Sequence, residues 1–302
     1  MISQAALVAK FDQFFNVAAF DESIRRSRLP AGYESMAQSF YTPDFLEGTF
    51  NGLMLDNTVQ VERVYLIVFP STQVLDTIIA KEVERGAPGA LIFSHHPFDY
   101  QESSGTIGYV AEPHLQELRE HHISLYACHA PLDCHAEIST SGAFANALKL
   151  KEQARFGAYY GGMAGIYGST NGVDFQAFAR RVAEVNSLPT LRYHAVRHNG
   201  RPVNKVAVMA GSGGSADYLR EAMALGCDTF VTGEWWFLGQ SEWQVKMREE
   251  LRELLKAADI NIIGSSHYAS EAIVLRDPLM AWLHENVPAI DPIFIPQDDP
   301  WR

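Results

Sequence analysis

Cysteine is scarce in this chain, and its scarcity limits the kinds of site that the sequence can build. The 302 residues include three, Cys128, Cys134 and Cys227. No two of them form a Cys-x-x-Cys pair, and three are too few for a disulfide framework or a cysteine-rich structural zinc site. The pattern favours a reducing compartment.

Long apolar runs are also missing. No segment approaches the roughly 18 apolar residues that a membrane-spanning helix requires. Lys10 and Asp12 interrupt the apolar residues near the amino terminus, which therefore lacks the continuous apolar core of a signal peptide. We expect a cytoplasmic protein that does not enter a membrane.

Net positive charge is a third absence. The chain has 24 lysines and arginines against 36 aspartates and glutamates, a formal net charge of −12. General binding to nucleic acid or to an anionic membrane requires the opposite sign of charge. Cations do gather in residues 24–28 and 192–197, and such runs are typical of solvated surface, although a local basic pocket remains open.

Apolar runs alternate with helical patterns along the chain. A helix that faces the core is predicted at the start, where Leu7, Phe11 and Phe15 recur at helical spacing. Predicted strands at 64–68, 90–93, 123–127, 205–210, 228–232 and 260–263 alternate with predicted helices around 73–85, 112–122, 215–225 and 241–257. This order predicts an α/β fold with mainly parallel or mixed sheets.

A Gly- and Tyr-rich stretch, residues 156–172, separates the two series of strands. Such composition is typical of a connection between units of structure. We expect two α/β domains, residues 1–155 and 156–302.

Two histidines directly follow the predicted strand 90–93. Adjacent residues that leave a strand point to opposite sides, and Pro97 keeps His96 extended, so His95 and His96 can serve two different metal ions. A His-His pair can also be solvated, as we expect for the pair at 121–122 on a polar helix face.

A second pair of polar residues follows the strand 123–127. His129 and Asp133 should emerge at the carboxyl end of that strand, where open α/β sheets form binding crevices. His135 lies just beyond them, and a loop position suits it equally well.

A third element follows the strand 260–263. Ser265 or Ser266 is expected to cap a helix, which places His267 and Glu271 four residues apart on one face. The two carboxylate oxygens of Glu271 can bridge two ions. Taken alone, the segment favours a capped surface helix with an exposed His and Glu.

The three elements share a position after strands and offer only imidazole and carboxylate groups. This coincidence predicts one site for two divalent metal ions, with residues 260–302 packing back to complete it. Zinc, iron, manganese and nickel all suit such ligands, and two ions that act jointly on a substrate lie about 3.5–4 Å apart. The predicted ligands are His95, His96, Asp133, His267 and Glu271, with His129 close by.

Three further segments have open interpretations. Residues 211–215 are glycine-rich and form either an anion-binding loop at a helix start or a tight connection. Glu234 is a candidate general acid or base, or an ordinary helix-start carboxylate. The aromatic residues 235–237 are expected to pack in the core or in a subunit interface.

Six motifs occur in a recognisable order: Asn51-Gly52-Leu53, Ser94-His95-His96-Pro97, His129 to Asp133, Gly211 to Gly214, Thr232-Gly233-Glu234, and His267 with Glu271. Over about residues 50–275, this order resembles the Ngg1-interacting-factor-like family of dinuclear-metal proteins, also called the GTP cyclohydrolase I type 2 family. The resemblance implies two α/β domains with the metal site in the cleft between them, assembled as a toroidal homohexamer. By motif position the five predicted ligands correspond to the family's metal ligands, Glu271 being the bridge, and His129 lines the same cavity.

The chain departs from the family's pattern at three places. An Asp-centred motif, a Trp and Asp before Asn-Gly-Leu, and a basic residue or His after Thr-Gly-Glu are replaced by residues 68–72, 48–50 and 235–236, respectively. These departures bear on the substrate, because the predicted metal ligands are intact.

The resemblance implies a dinuclear-metal-dependent hydrolase that acts on a nucleotide or related heterocycle, specifically a GTP cyclohydrolase. In that chemistry metal-activated water attacks the purine C8 carbon, His129 or Glu234 moves the proton, and formate leaves. Two other functions stay open: a non-catalytic metal-binding regulatory or scaffold hexamer, and a general metal-dependent phosphoesterase.

Overall fold

The computed structural model describes residues 1–195 and 200–302. The cationic run 192–197, predicted to be solvated surface, therefore lies partly outside the described residues. The strands are β1 (Ile2–Ser3), β2 (Gly52–Leu55), β3 (Gln60–Val61), β4 (Arg63–Ile67), β5 (Ala90–Ser94), β6 (Asp99–Gln101), β7 (Thr106–Gly108), β8 (Ile123–Ala127), β9 (Lys151–Tyr159), β10 (Gly162–Val173), β11 (Arg192–His194), β12 (Val203–Met209), β13 (Thr229–Thr232), β14 (Asn261–Gly264) and β15 (Asp291–Phe294). The six strands predicted from apolar runs are confirmed.

Helices connect most of these strands. They are α1 (Gln4–Phe15), α2 (Ala31–Ala37), α3 (Pro43–Glu47), α4 (Thr72–Arg85), α5 (Glu112–Glu120), α6 (Ala130–Cys134), α7 (Thr140–Ala147), α8 (Phe175–Val185), α9 (Ala216–Ala224), α10 (Glu242–Leu255), α11 (His267–Val274) and α12 (Met280–Asn286). Short 3-10 turns cover Val17–Ala19 and Ser23–Arg28, and a π turn at Leu275–Leu279 joins α11 to α12. No helix in the described parts of the chain is long and apolar enough to cross a membrane.

The first sheet has five strands in the order β15-β4-β5-β8-β2. Adjacent strands in this sheet are parallel, except that β2 runs antiparallel to β8. Every residue of β4, β5 and β8 is buried, as expected for parallel strands that are covered on both faces. Helix α1 supplies part of that cover, since the ring of Phe11 lies 5.2 Å from Phe93 and 5.1 Å from Tyr126, which confirms that the opening helix faces the core.

The second sheet has six strands in the order β11-β14-β13-β12-β10-β9. Its centre is parallel, and β9, β10 and β11 add antiparallel pairings. The Gly- and Tyr-rich stretch 156–172 lies within β9 and β10, which pair as a hairpin of this sheet. Together the two sheets form the mixed α/β fold that the strand order predicts, while the division into domains 1–155 and 156–302 stays a prediction.

The end of the chain returns to the first sheet. Strand β14 belongs to the second sheet, and β15 pairs with β4 in the first. Helix α11, which follows β14, therefore lies where the chain passes from one sheet to the other. This path brings residues of both sheets to a common site.

Candidate metal centre

The five predicted metal ligands lie together, and all are at least nine-tenths buried. Their donor atoms fall into two groups, each with atoms within 4.8 Å of one another: His95, Asp133 and Glu271 in one, and His96, His267 and Glu271 in the other. A third such group joins His129 to His95 and His96. Glu271 belongs to both of the first two groups, which is the position of a bridging carboxylate.

The first group is assembled at the carboxyl ends of β5 and β8. His95 Nε2 lies 3.5 Å from an oxygen of Asp133 and 3.5 Å from Glu271 Oε1. His95 Nδ1 lies 3.0 Å from the carbonyl oxygen of Cys128, and Thr140 donates a 2.6 Å hydrogen bond to Asp133. These outer contacts orient the ring and the carboxylate, as hydrogen bonds behind metal ligands commonly do.

The second group depends on Glu271. Its Oε2 lies 2.9 Å from His96 Nε2, and its Oε1 lies 3.3 Å from His267 Nε2. The two histidines leaving β5 therefore reach different oxygens of one carboxylate. That these adjacent imidazoles serve different metal ions stays a prediction.

Helix α11 sets the position of two of these residues. Ser266 is its amino-terminal cap and accepts a hydrogen bond from the backbone N–H of Ala269, as one of the two predicted caps. The helix begins at His267, so Glu271 stands one turn further along the same face. The predicted capped helix is confirmed, and its first turn is buried rather than exposed.

The glycine-rich turn after β12 approaches this cluster closely. A Cβ at Gly211 would lie 2.2 Å from Glu271 Oε1, and the residue has a φ of +63°, so only glycine fits there. Its N–H donates a 2.9 Å bond to Ser270 Oγ. The turn therefore packs its backbone against the predicted bridge.

Glu234, predicted as an acid or base, lies behind His267. It is fully buried, its Oε2 is 3.6 Å from His267 Nδ1, and Tyr100 donates to both of its oxygens at 3.0 and 2.9 Å. Ser212 Oγ lies 3.2 Å from Glu234 and 3.0 Å from His267 Nδ1. Glu234 is thus placed to orient the imidazole whose other nitrogen faces Glu271.

His129 is held by the amino-terminal part of the chain. Its backbone N–H donates to Asn51, and its Nδ1 lies 2.8 Å from Glu22 Oε1. Arg25 Nη2 lies 3.0 Å from the same Nδ1, so a carboxylate and a guanidinium both contact this ring nitrogen. The His129 ring stacks on His95, with centroids 5.0 Å apart.

The solvated-surface prediction for residues 24–28 is wrong for Arg25. Its side chain is 13% exposed, and its Nε lies 2.6 Å from Glu22 Oε1. Charge clustering in the sequence carries no information on the path of the chain, which turns Arg25 inward against His129. Arg28, in the same segment, is exposed as predicted.

Buried carboxylates control the protonation of the site. Burial lowers the pKa of His95 and His267, but the nearby carboxylates outweigh it and raise the pKa to about 9 at His95 and about 10 at His267. Burial also opposes ionisation of Glu271, yet three histidines hold its pKa well below the usual range. Burial lowers the pKa of His96 and of His129.

This donor set fits divalent metal ions. It offers imidazole nitrogens and carboxylate oxygens, and the buried His95 Nε2 makes no hydrogen bond with any described residue. Metal ions bind deprotonated ligands and displace their protons. Bound ions would therefore supply the positive charge that the protonated histidines otherwise provide to the buried carboxylates. The ligand roles themselves stay a prediction.

An apolar wall covers one side of the cluster. The ring of Phe69 stacks on His96 with centroids 4.4 Å apart and meets His267 edge-on at 5.2 Å. Phe69 belongs to residues 68–72, where the chain departs from the family's pattern. The ring introduced by this departure therefore contacts two predicted ligands.

Other predicted residues lie away from the cluster. His135 Nε2 is 2.8 Å from the carbonyl oxygen of Phe14. Trp235 and Trp236 are half-buried and line a cavity of about 520 Å³ together with Arg248 and other residues, while Phe237 is buried. These placements are compatible with the packing role expected for the aromatic run.

Several buried polar residues of the site were not predicted from the sequence. Glu22 and Tyr100 lie in no motif, and neither does Glu102, whose Oε2 accepts a 2.8 Å bond from the N–H of His267. Burial, then Glu234, raises the pKa of Glu102 to about 8. No spacing signal marks any of the three, because their role depends on tertiary contacts alone.

Comparison with known proteins gives consistent results. Among curated relatives, proteins called GTP cyclohydrolase 1 type 2 homolog from Deinococcus radiodurans and Pyrococcus horikoshii are both 29% identical, over 236 and 237 residues. The first alignment covers 76% of this chain and 78% of the relative, and the second covers 78% and 85%.

Solved structures share the fold. Protein ybgI, described as of unknown function, has a TM-score of 0.68 at 22% identity and covers 99% of this chain and 100% of its own. Staphylococcus aureus protein SA1388 has a TM-score of 0.68 at 16% identity, with 100% and 99% covered. The sequence profile of Duf34/NIF3 (NGG1p interacting factor 3) matches residues 33–300, and since this match spans most of the 302 residues, the chain belongs to that family.

Proposed function

We propose that this protein is a dinuclear-metal-dependent hydrolase that acts on a nucleotide or related heterocycle. The observation that carries the proposal is the position of Glu271, whose two oxygens face histidines of two separate ligand groups. Two ions held by one bridging carboxylate form a centre suited to hydrolysis. We assign the five buried residues of those groups as ligands, and zinc, iron, manganese or nickel as the metal.

The names of the relatives suggest the substrate. Proteins called GTP cyclohydrolase 1 type 2 homolog match about three-quarters of the chain, which supports a GTP cyclohydrolase-like reaction. In that reaction one water adds at the purine C8 carbon and opens the imidazole ring, and a second water hydrolyses the resulting formamide to formate. Bound divalent ions would supply activated water and neutralise developing negative charge.

His129 is the residue assigned to move the proton. Glu22 holds its Nδ1, so Nε2 can accept a proton in one step and return it in the next. Its ring lies against His95, and its centroid is 4.7 Å from that of His96, which places it beside the predicted ligands. Glu234 lies 3.6 Å from Nδ1 of His267 and helps to orient that imidazole. The proposal also keeps Glu234 as the second candidate for proton transfer.

Phe69 contributes an apolar surface that excludes water from one side of the cluster. Its stacking on His96 limits the access of water to that imidazole and lowers the local dielectric constant, which strengthens the interaction of ligands with bound cations.

The proposal extends to assembly and location. The family resemblance supports a homohexamer, and the small number of cysteines favours a reducing compartment such as the cytoplasm.

Formate release from GTP is the direct test of this function. Protein reconstituted with each candidate metal should release formate, and chelated protein should not. Asp133→Asn should lower the rate at least tenfold with the fold intact, because it removes a ligand charge without changing side-chain volume. Asp217→Asn, at a position whose side chain is 83% exposed, is the matched control and should retain the full rate.

The alternative outcomes separate the competing functions. Phosphate release without formate would indicate a phosphoesterase instead. No turnover of a nucleotide panel by protein shown to carry both ions would support a regulatory or scaffold role.

A further inference from the structure

We propose that Arg25 binds a phosphate group of the substrate beside the metal centre. This inference rests on the proposed function, because it names the part of a nucleotide that this residue would hold. The segment that carries Arg25 precedes the family match, which begins at residue 33. Recognition of the phosphate would therefore come from a part of this chain outside the matched region.

The position of Arg25 is adjacent to the predicted ligands. Its Nη2 lies 3.0 and 3.5 Å from the two ring nitrogens of His129, and His129 shares a donor group with His95 and His96. One side chain thus separates the guanidinium from the cluster. A substrate whose reacting carbon is at the metals can extend to this distance with its phosphates.

The guanidinium is fixed in place. Its Nε donates to Glu22 Oε1, and Glu22 Oε2 accepts from Asn51 Nδ2 and from the N–H of Ala130, both at 2.9 Å. Glu22 is therefore anchored independently of Arg25. A planar fork held this way loses little entropy when it forms further hydrogen bonds.

Aromatic rings border the guanidinium. Its Cζ lies 5.5 Å from the ring centroid of Phe98 and 5.6 Å from that of Tyr160. Nη2 also donates to Tyr159 at 3.3 Å, whereas Nη1 makes no hydrogen bond with any residue that the structure describes. Nη1 therefore has donors left for an incoming oxygen anion, and the fork geometry of arginine matches phosphate.

Arg25 also adds positive charge beside a group of buried carboxylates. Glu22, Asp133 and Glu234 are buried carboxylates near the centre, and they oppose the approach of a phosphate. Arg25 is the arginine that contacts His129 among the described residues. It supplies positive charge on the side of His129, where the predicted metal ligands do not reach.

A purely structural role for Arg25 is the competing explanation, because the same contacts hold Glu22 and His129. The two roles differ in what they do to ligands of different charge. Loss of a phosphate-binding group weakens the binding of anions selectively, whereas misplacement of His129 or of the metals weakens the binding of neutral ligands as well.

Calorimetric titration of metal-loaded protein with inorganic phosphate and with imidazole, a neutral metal ligand, distinguishes these roles. For Arg25→Gln we expect roughly tenfold weaker binding of phosphate, the order of one lost charge-assisted hydrogen bond, with unchanged binding of imidazole and unchanged metal content. Arg25→Lys should retain part of the phosphate affinity. Arg28→Gln removes the same charge from an exposed position three residues away and should bind phosphate like the unmodified protein.

Three outcomes would overturn the inference: no phosphate binding by the unmodified protein, equal weakening of phosphate and imidazole, or phosphate affinity that Arg25→Gln leaves unchanged. A failure of the proposed function is separate from these. Protein that binds phosphate through Arg25 but releases no formate from GTP would refute the cyclohydrolase reaction alone.

Discussion

Glu271 is the residue on which the two ligand groups converge. Replacing it with Gln keeps the side-chain volume but removes the charge that faces His96 and His267. We expect Glu271→Gln to lose more bound metal than His129→Ala, because only Glu271 belongs to both carboxylate-containing groups. Elemental analysis after gel filtration measures this difference.

Two controls make this comparison interpretable. Glu47→Gln, at an exposed position, should leave the metal content unchanged. Circular dichroism of each variant verifies the fold. Equal loss from Glu271→Gln and His129→Ala would show that the two roles are assigned wrongly.

At the residue scale the sequence predicts donor groups better than their supports. His95, Asp133 and His267 follow apolar strands, and strand ends on the same edge of a sheet meet in space. Arg25 lies in a 3-10 turn without apolar periodicity and Glu22 directly precedes that turn, so no pattern indicates which side chain faces inward. Their burial depends on how the chain before β2 crosses the sheet, which only the tertiary structure specifies.

Helix α11 determines the geometry of two donor residues. Ser266 caps it and also donates a 2.6 Å bond to the carbonyl oxygen of Pro300. We expect Ser266→Ala to cost about 0.5–2 kcal/mol of stability and to weaken metal binding, because His267 occupies the first turn. Chemical denaturation and metal titration measure the two effects.

Ser241 provides the matched control for this helix. It caps α10 in the same way, by accepting from the N–H of Gln244, and is exposed. Ser241→Ala should lower stability by a similar amount and leave metal affinity unchanged. If both variants lowered metal affinity equally, the effect would come from general destabilisation rather than from the position of His267.

At the element scale, apolar runs predict strands where both faces of a sheet are buried. Strands β4, β5, β8, β13 and β14 are buried throughout, and β12 is buried in its last four residues. The hairpin of β9 and β10 does not, because its glycines and tyrosines are typical of a connection. Its strand conformation depends on antiparallel pairing with β12, which a local pattern cannot show.

At the scale of the whole molecule, the donor residues follow strands of both mixed sheets, β5 and β8 in the first and β14 in the second. The sequence predicts two series of strands and that residues 260–302 pack back, but not that β15 pairs with β4, since a short run near the carboxyl terminus gives no information on its partner. The family resemblance further predicts a hexamer. Sedimentation equilibrium should give about six times the chain mass of 33.6 kDa, whereas a stable monomer would contradict this part of the proposal.

The number of ions bound at saturation tests the central claim most directly. Metal-depleted protein should be titrated with one candidate metal at a time, and the bound ions should be counted by elemental analysis against protein concentration. Five buried donor residues in two groups, with Glu271 common to both, predict two ions per chain. Saturation at one ion, or no tight binding of any of the four metals, would contradict the dinuclear centre.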